Sequence, residues 1–97
     1  MEKDEKIAVA LKYEIKDKAP KVVAKGKGYL AELILKLAKE YNIPIKHDSI
    51  LVKELYKLEL EKPIPPELYN AVAVVLAWAF NLNKKLKEKI TKNFQIK

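Results

Sequence analysis

Bulky apolar residues alternate with small or charged residues near the start of the chain. They are Ile7, Val9, Leu11 and Tyr13. This period of two predicts a β-strand with one bulky face toward a core and one face of small residues. The polar segment 14–19 ends at Pro20, so we expect a turn there and a second, antiparallel strand over residues 21–25. The chain is therefore expected to open with a β-hairpin.

The spacing of apolar residues changes to that of a helix after the hairpin. Side chains recur three and four residues apart at Leu30, Leu33, Ile34, Leu37 and Tyr41. This spacing predicts an amphipathic helix over residues 29–41 that crosses the sheet with these side chains inward. Lys36, Lys39 and Glu40 then point outward.

Two shorter elements are expected next. The apolar residues 43–45 suit a third strand, in which Pro44 occupies a position that needs no N–H group. Asp48 or Ser49 can cap a following helix over residues 50–58, because their side-chain oxygens accept hydrogen bonds from the first N–H groups of a helix.

The proline-rich segment 62–66 is the strongest helix breaker in the sequence. Pro66 suits the first turn of a third helix over residues 66–82. That helix is apolar nearly all round, which is typical of an element that is central to the fold or partly in an interface.

The C-terminal residues continue a helical spacing at Leu82, Leu86, Ile90 and Phe94. With the surrounding lysines, this predicts an amphipathic, lysine-rich tail at residues 84–97, either a last helix folded back on the domain or one frayed in solution. The alternative is an anchor for a partner or for an anionic membrane surface, as a peripheral association. The chain is thus divided into a charged segment 1–6, a domain 7–83 and this tail.

Composition restricts the functional classes. The 97 residues suit one domain, and a hydrophobic fraction of 49% is enough to build a core. The absence of cysteine excludes disulfides and thiolate metal sites. The charged N-terminus lacks the apolar run of a secretory signal, and the longest uncharged stretch, 68–83, is shorter than the roughly 20 residues that span a bilayer. These features predict a cytoplasmic protein.

The formal net charge of +7 is carried by lysine, because the chain has no arginine. Such a charge suits phosphate backbones or anionic lipid. The lysines are scattered over every expected element, however, and aromatic residues are not interleaved with them as they are in nucleic-acid-binding surfaces. A solvated charged surface is the preferred interpretation. A basic binding module for nucleic acid or an anionic membrane surface is the alternative.

Candidate catalytic groups do not assemble in this sequence. His47, Asp48 and Ser49 are the residue types of a catalytic triad, but three consecutive residues cannot converge in that geometry. A lone histidine without cysteine argues against zinc, and segment 25–28 lacks the spacing and the final Ser or Thr of a phosphate-binding loop. We therefore expect no enzymatic activity, no cofactor, no metal site and no small-molecule substrate.

An ordered set of segments carries a family resemblance. The segments are 8–13 (AVALKY), 19–26 (APKVVAKG), 42–45 (NIPI), the single residue Leu51, 55–56 (LY), 64–65 (IP), 67–69 (ELY), 71–73 (AVA) and 75–77 (VLA). Together they resemble the cytoplasmic domain of the FlhB/YscU family, the specificity-switch proteins of flagellar and other type III secretion systems. The resemblance covers the chain from Ile7 to about Leu82. With the patterns above it implies a small α/β fold, a mixed sheet of about three strands packed with three to four helices.

One motif of that family is missing. Members that cleave themselves carry Asn-Pro-Thr-His before the strand that matches the first strand here, which contains Ala8 and Val9. The matching positions in this chain are Lys3-Asp4-Glu5-Lys6. Cleavage requires the Asn amide to attack its own carbonyl while the Pro nitrogen leaves, so we expect no self-cleavage. The resemblance implies a stand-alone counterpart of the fragment that remains after the cut. The strand before the cut is absent, which would leave an open sheet edge beside residues 7–13 that invites strand addition.

The resemblance also implies a binding function. In the family the cytoplasmic domain lies at the export gate and contacts export-apparatus proteins and export substrates. A small apolar patch is implicated there in receiving substrate, and its matching positions are Ala19, Pro20, Ala73 and Leu76. We therefore expect a non-catalytic accessory of the type III export apparatus at the cytoplasmic face of the inner membrane. In the opposing, structural interpretation Pro20 shapes the turn while Ala73 and Leu76 pack in the core.

Overall fold

The computed structural model describes residues 6–14, 16–82 and 91–96. Its elements, in chain order, are β1 (Ile7–Glu14), β2 (Lys21–Lys27), α1 (Tyr29–Glu40), β3 (Ile45–Lys46), α2 (Ser49–Tyr56), a 3₁₀ turn (Pro66–Leu68), α3 (Tyr69–Leu82) and β4 (Thr91–Ile96). The small α/β class, the hairpin and the three helices are therefore confirmed, while the third strand begins later than predicted. None of the helices in the described residues is long and apolar enough to cross a membrane.

The strands form one mixed sheet in the order β2-β1-β4-β3. β1 pairs antiparallel with β2 from Ile7↔Lys27 to Lys12↔Lys21, with a register shift after Ala10. On its other side β1 pairs antiparallel with β4, and β4 pairs in parallel with β3. β1 is therefore hydrogen-bonded on both sides.

The two faces of β1 are both buried, but they carry different side chains. One face holds Ala8, which packs with Ala31 and Leu35 of α1. The other face holds Val9 and Leu11, which belong to a larger cluster. The rest of that cluster is Ala19, Val22, Leu51, Val52, Leu55, Ile64, Val72, Val75 and Ile96. The sheet is thus covered by α1 on its small-residue face and by α2 and α3 on its bulky face.

Two glycines allow β2 to lead directly into α1. A Cβ atom added at Gly26 would lie 2.6 Å from the Cβ atom of Leu30 and 3.1 Å from its carbonyl carbon. Gly28, the N-cap of α1, has a φ angle of 58°, a conformation that glycine adopts without a steric penalty. The helix therefore lies very close to the strand that precedes it.

The face of α1 that contacts the sheet differs from the prediction. The buried residues are Ala31, Leu35 and Ala38. The predicted inward set, except for the half-buried Ile34, is exposed: Leu30, Leu33, Leu37 and Tyr41. The prediction was wrong because it followed the largest apolar side chains. The close approach of α1 to β2 at Gly26 favours the helix face that carries two alanines, with Leu35 between them.

The C-terminal segment is a strand where the structure describes it. Thr91–Ile96 pairs antiparallel with β1, and Ile96 is fully buried in the larger cluster. The predicted helix was wrong there, because pairing with β1 satisfies backbone groups that would otherwise lie unpaired at the sheet edge. The expected open edge beside residues 7–13 is therefore occupied by β4. Residues 84–90 and Lys97 of the predicted tail lie outside the described residues.

The outer edge of β2 is covered by the segment that follows α2. The N–H group of Glu61 donates to the carbonyl of Val22 at 2.8 Å, and the N–H group of Ile64 donates to the carbonyl of Pro20 at 2.9 Å. These bonds connect the segment before α3 to the first residues of β2 and the turn that precedes them.

The side chain of Lys25 joins β2 to the end of α2. Its ammonium group donates to the carbonyl oxygens of Tyr56 at 2.9 Å and Leu58 at 2.7 Å. The same group lies 5.1 Å from the centroid of the Tyr56 ring, and the Lys27 ammonium lies 4.8 Å from it. A cation at the C-terminal end of a helix satisfies carbonyl groups that have no partner within the helix. Lys25 thus has a structural role.

Candidate functional site

The turn after β1 and the beginning of α3 border a small, open cavity of about 120 Å³. The lining residues are Tyr13, Lys18, Ala19, Pro20, Ile64, Tyr69, Val72, Ala73 and Leu76. All four residues predicted as a binding patch, Ala19, Pro20, Ala73 and Leu76, are among them. The structure therefore brings together two pairs of residues that are far apart in the sequence. Their role in binding stays a prediction.

Hydrogen bonds hold the turn in place. The N–H group of Glu14 donates to Oδ2 of Asp17 at 3.0 Å, and the N–H group of Asp17 donates to the carbonyl of Glu14 at 2.8 Å. Pro20 restricts the backbone at the exit of the turn, and its carbonyl accepts the bond from Ile64. Because Ala19 and Pro20 are both buried, they form a firm wall of the cavity.

The first turns of α3 form the opposite wall. Pro66 begins the preceding 3₁₀ turn, at a position where its missing N–H group would have no helical partner. Val72 and Val75 anchor the helix in the core. Ala73 is exposed and Leu76 is half-buried, so both remain accessible at the cavity. The interpretation of Ala73 as a core residue is therefore wrong.

The chemistry of the cavity is mainly apolar. Ile64 and Val72 are almost fully buried and form its floor, while Lys18 and the partly exposed Tyr13 and Tyr69 stand at its rim. A cavity of about 150 Å³ can hold a molecule the size of benzene, so this slightly smaller one suits a single apolar side chain. Tyrosine combines an apolar ring with a hydroxyl group that can bond the polar backbone of a peptide.

Sequence reasoning missed the other lining residues, although a signal for two of them was present. Tyr69 and Val72 precede Ala73 and Leu76 by one helical turn and so share their side of α3. The N–H group of Ile64 donates to the carbonyl of Pro20, and this bond holds Ile64 beside the cavity. The local sequence contains no signal for that bond.

The His47-Asp48-Ser49 group is a loop and a helix cap, as predicted. Oδ1 of Asp48 accepts from the N–H group of Leu51 at 3.0 Å at the start of α2, while His47 is exposed. Within the described part of the chain, no three His, Cys, Asp or Glu side chains are placed to hold a metal ion. A larger cleft of about 680 Å³ lies beside α1 and β3. Its charged lining mixes both signs: Lys6, Glu32, Lys36, Lys39 and Glu40.

Comparison with protein families gives one match over most of the chain. A family model described as the FlhB HrpN YscU SpaS family matches residues 4–79. The uncharacterized protein YlqH of Bacillus subtilis (strain 168) is 43% identical over 83 residues, which are 84% of this chain and 89% of YlqH. The cavity, with all of its lining residues, lies within the span matched by the family model.

Longer relatives and one solved structure match the same kind of domain. The flagellar biosynthetic protein FlhB of Aquifex aeolicus (strain VF5) is 46% identical over 82 residues, 82% of this chain and 23% of that protein. FlhB of Escherichia coli (strain K12) is 46% identical over 79 residues, 79% of this chain and 21% of that protein. The chain thus spans less than a quarter of these two relatives. The crystal structure of a mutated EscU C-terminal domain aligns with a TM-score of 0.74 and 32% identity over 79% of each chain.

Proposed function

Because this chain belongs to the FlhB HrpN YscU SpaS family, we propose that it is a non-catalytic accessory of the flagellar or type III protein export apparatus. It binds export substrates or components of the export gate at the cytoplasmic face of the inner membrane. Lys3-Asp4-Glu5-Lys6 stands where the cleavable motif would be, so the chain acts in a state that resembles a family member after cleavage.

The observation that carries this proposal is the convergence of the turn and α3 at one cavity. Ala19 and Pro20 contribute a buried wall, whereas Ala73 and Leu76 contribute an accessible one. A concave apolar site with a few polar groups at its rim is the usual form of a binding site. The hydrogen bond from Ile64 to Pro20 holds this form ready before a ligand arrives, so little ordering of the protein is needed on binding.

The bound segment is an extended peptide that inserts one apolar side chain into the cavity. Contact with Ile64 and Val72 removes that side chain from water, which is the main source of affinity. Tyr13 and Tyr69 are placed to hydrogen-bond the peptide backbone, and Lys18 attracts acidic neighbours weakly because it is exposed. The contact area is well below that of a permanent complex. Binding is therefore weak and quickly reversible, as passage of substrates through a gate requires.

An NMR titration with a matched pair of variants tests this proposal. The ligands are purified cytoplasmic domains of the export apparatus and an early export substrate, each at low and at high salt. We expect saturable shifts at the four patch residues. Ala73→Asp places a carboxylate at the cavity and should weaken binding about tenfold or more, a change of about 1.4 kcal/mol. Ala71→Asp is the control, because Ala71 is also exposed on α3 but does not line the cavity.

Two outcomes would contradict the proposal. Equal loss of binding in both variants would mean that added charge on α3, rather than the cavity, determines affinity. No shifts with any export component, together with salt-sensitive binding to DNA, RNA or anionic vesicles, would favour the basic module instead. Both variants replace exposed alanines, so the fold should persist, and the spectrum of each free variant verifies this.

A further inference from the structure

One side of α1 carries a row of large apolar side chains in solvent. Tyr29, Leu33, Leu37 and Tyr41 follow one another at intervals of four residues, so they form one ridge along the helix and its C-cap residue. The two tyrosines are 78% and 72% exposed, and the two leucines are 38% and 44% exposed. We call these four residues the α1 ridge. Most of the large apolar side chains of α1 are therefore in solvent rather than against the sheet.

The exposed apolar area of the α1 ridge is large for a small domain. An aromatic side chain offers about 150–250 Å² of contact surface, so the ridge, together with the exposed Leu30 beside it, presents about 500 Å². Contiguous apolar patches on monomeric proteins are rarely larger than a few hundred Å², and larger patches mark interaction sites. The ridge is therefore a candidate interface.

The order of the residues in the ridge indicates which partner fits it. Tyr-Leu-Leu-Tyr reads the same from either end, with equal spacing. A two-fold axis at the middle of the ridge therefore pairs Leu33 of one copy with Leu37 of another, and Tyr29 with Tyr41. Two-fold interfaces need such a self-complementary surface, and two ridges with this spacing pack together in the commonest class of helix crossing. A bilayer or an unrelated helix places no such demand on the order of the side chains.

We propose that two copies of this chain associate through their α1 ridges in an antiparallel, two-fold symmetric dimer. About 500 Å² from each copy gives about 1,000 Å² in total, which is the lower limit for a specific interface. The dimer is therefore weak, with a micromolar or higher dissociation constant, because the affinity of interfaces of standard size begins in the micromolar range. This inference does not depend on the proposed export function.

The position of Glu40 supports the antiparallel arrangement. Glu40 is exposed in the last turn of α1, where a negative charge opposes the dipole of its own helix. In the dimer the end of each α1 lies beside the start of the other, and Glu40 of one copy is level with Leu30 of the second copy. That start carries the positive end of the helix dipole and has no side-chain cap. A carboxylate from the second copy is therefore favourable there.

The molecular mass in solution tests the inference first. The mass of the unmodified chain should rise from 11.2 kDa toward twice that value between about 10 μM and about 1 mM, as expected for an interface below the standard size. Leu33→Asp places a carboxylate at the middle of the ridge and should raise the dissociation constant at least tenfold, because an unpaired charge is costly to bury. Val74→Asp is the matched control, since Val74 is 66% exposed on α3, across the sheet from α1.

Both variants are tested for folding by circular dichroism. Tyr41→Asp, at a more exposed position of the ridge, provides the same test if Leu33→Asp unfolds. Sedimentation equilibrium then gives the dissociation constant of each folded variant.

A cross-linking experiment locates the interface. The chain has no cysteine, so one introduced cysteine is the only reactive thiol. Lys36 is exposed next to the middle of the ridge, so the two Lys36→Cys positions of a dimer lie close to the two-fold axis. A short bismaleimide should join them several-fold more often than it joins two copies of Lys53→Cys, a control on the exposed side of α2.

Glu40→Gln tests the antiparallel orientation. Removal of the charge should weaken the dimer about two- to fivefold for each helix end that loses a carboxylate. In dilute solution the same variant should unfold at an equal or slightly higher temperature, because the charge opposes the dipole of its own helix. A purely structural role of Glu40 would lower both the affinity and the unfolding temperature. An unchanged dissociation constant would exclude the antiparallel arrangement.

Three results would overturn the inference. One is a mass that stays at 11.2 kDa up to about 1 mM. Another is a dimer that Leu33→Asp and Val74→Asp weaken equally or not at all, because its interface would then lie elsewhere. The third is a monomeric chain that binds anionic vesicles and loses this binding in Leu33→Asp, because a bilayer would then occupy the ridge.

Discussion

α1 and α3 cover opposite faces of the same sheet, but they use different side chains to do so. α1 contacts the sheet through Ala31, Leu35 and Ala38 and leaves larger apolar side chains in solvent. α3 buries Val72, Val75 and Ala79 over a layer that includes Leu11 and Leu55. We call the face of the sheet under α1 the thin face, because mainly small side chains fill it. The face under α2 and α3 is the thick face, because large side chains fill it.

This difference shows that the sheet selects which face of a helix is buried. Ala8 and Ala10 of β1 and the neighbouring Gly26 form a shallow surface, and α1 packs on it through two alanines and Leu35. On the other face, Val9 and Leu11 hold the helices farther away, so branched side chains fill the space between. Identical changes on the two faces should therefore have different effects on stability.

Truncation of a leucine should separate the two faces most clearly. Leu55→Ala removes a side chain that is 0% exposed, and such deletions reduce the free energy of unfolding by about 2–5 kcal/mol. Leu37→Ala makes the same change on α1 at a side chain that is 44% exposed, so we expect a loss below about 1 kcal/mol. Urea unfolding of both variants measures the difference. Similar losses would mean that the side chain of Leu37 is buried like that of Leu55.

Addition of a methyl group should disturb the thin face next. Gly26→Ala puts a Cβ atom 2.6 Å from that of Leu30, so α1 must move, and overpacking of this kind costs about 1–3 kcal/mol. Leu30→Gly removes one of the two clashing atoms. In a double-mutant cycle, Gly26→Ala should therefore cost less in the Leu30→Gly background than in the unmodified chain. Equal costs in the two backgrounds would show that the clash is not at Leu30.

The helix ends should give the smallest effect. α2, on the thick face, has an Asp48 cap that accepts from Leu51 at 3.0 Å, whereas α1 begins at Gly28 without a side-chain cap. Asp48→Ala should lower the free energy of unfolding by about 0.5–2 kcal/mol. Ser49→Ala, at the adjacent exposed position, should change it by less than about 0.5 kcal/mol. Thermal unfolding compares the two variants. A loss of stability as large in Ser49→Ala as in Asp48→Ala would contradict the assignment of the cap to Asp48.

The sequence was sufficient where short-range chemistry determines structure. The alternation before Glu14, the turn at Pro20 and a cap at Asp48 or Ser49 depend on neighbouring residues, and the structure contains each of them, with Asp48 as the cap. Pro66 begins a helical turn as predicted, but it is a 3₁₀ turn, and α3 itself starts at Tyr69. The buried face of α1 could not be found in this way. Alanine contributes little to an apolar pattern, and the partner surface that selects it is formed by a different part of the chain.

Long-range pairing explains the remaining differences. The spacing of Leu82, Leu86, Ile90 and Phe94 fits a helix, and the competing strand forms only because β1 offers a distant unpaired edge. The four patch residues came from a family resemblance, and the structure brings them to one cavity. Ile64 at the cavity floor depends on a bond to Pro20, which no local pattern reveals.

The bonded ammonium group of Lys25 has a consequence for chemical labelling. Acylation requires a free, deprotonated amine, but this amine donates hydrogen bonds to Tyr56 and Leu58 and lies against an aromatic ring. It reacts only after these contacts break, whereas exposed lysines such as Lys16 and Lys53 react without such a step. The rate at which Lys25 is labelled therefore measures local opening of the protein, and does so at a single position that mass spectrometry can follow in a mixture.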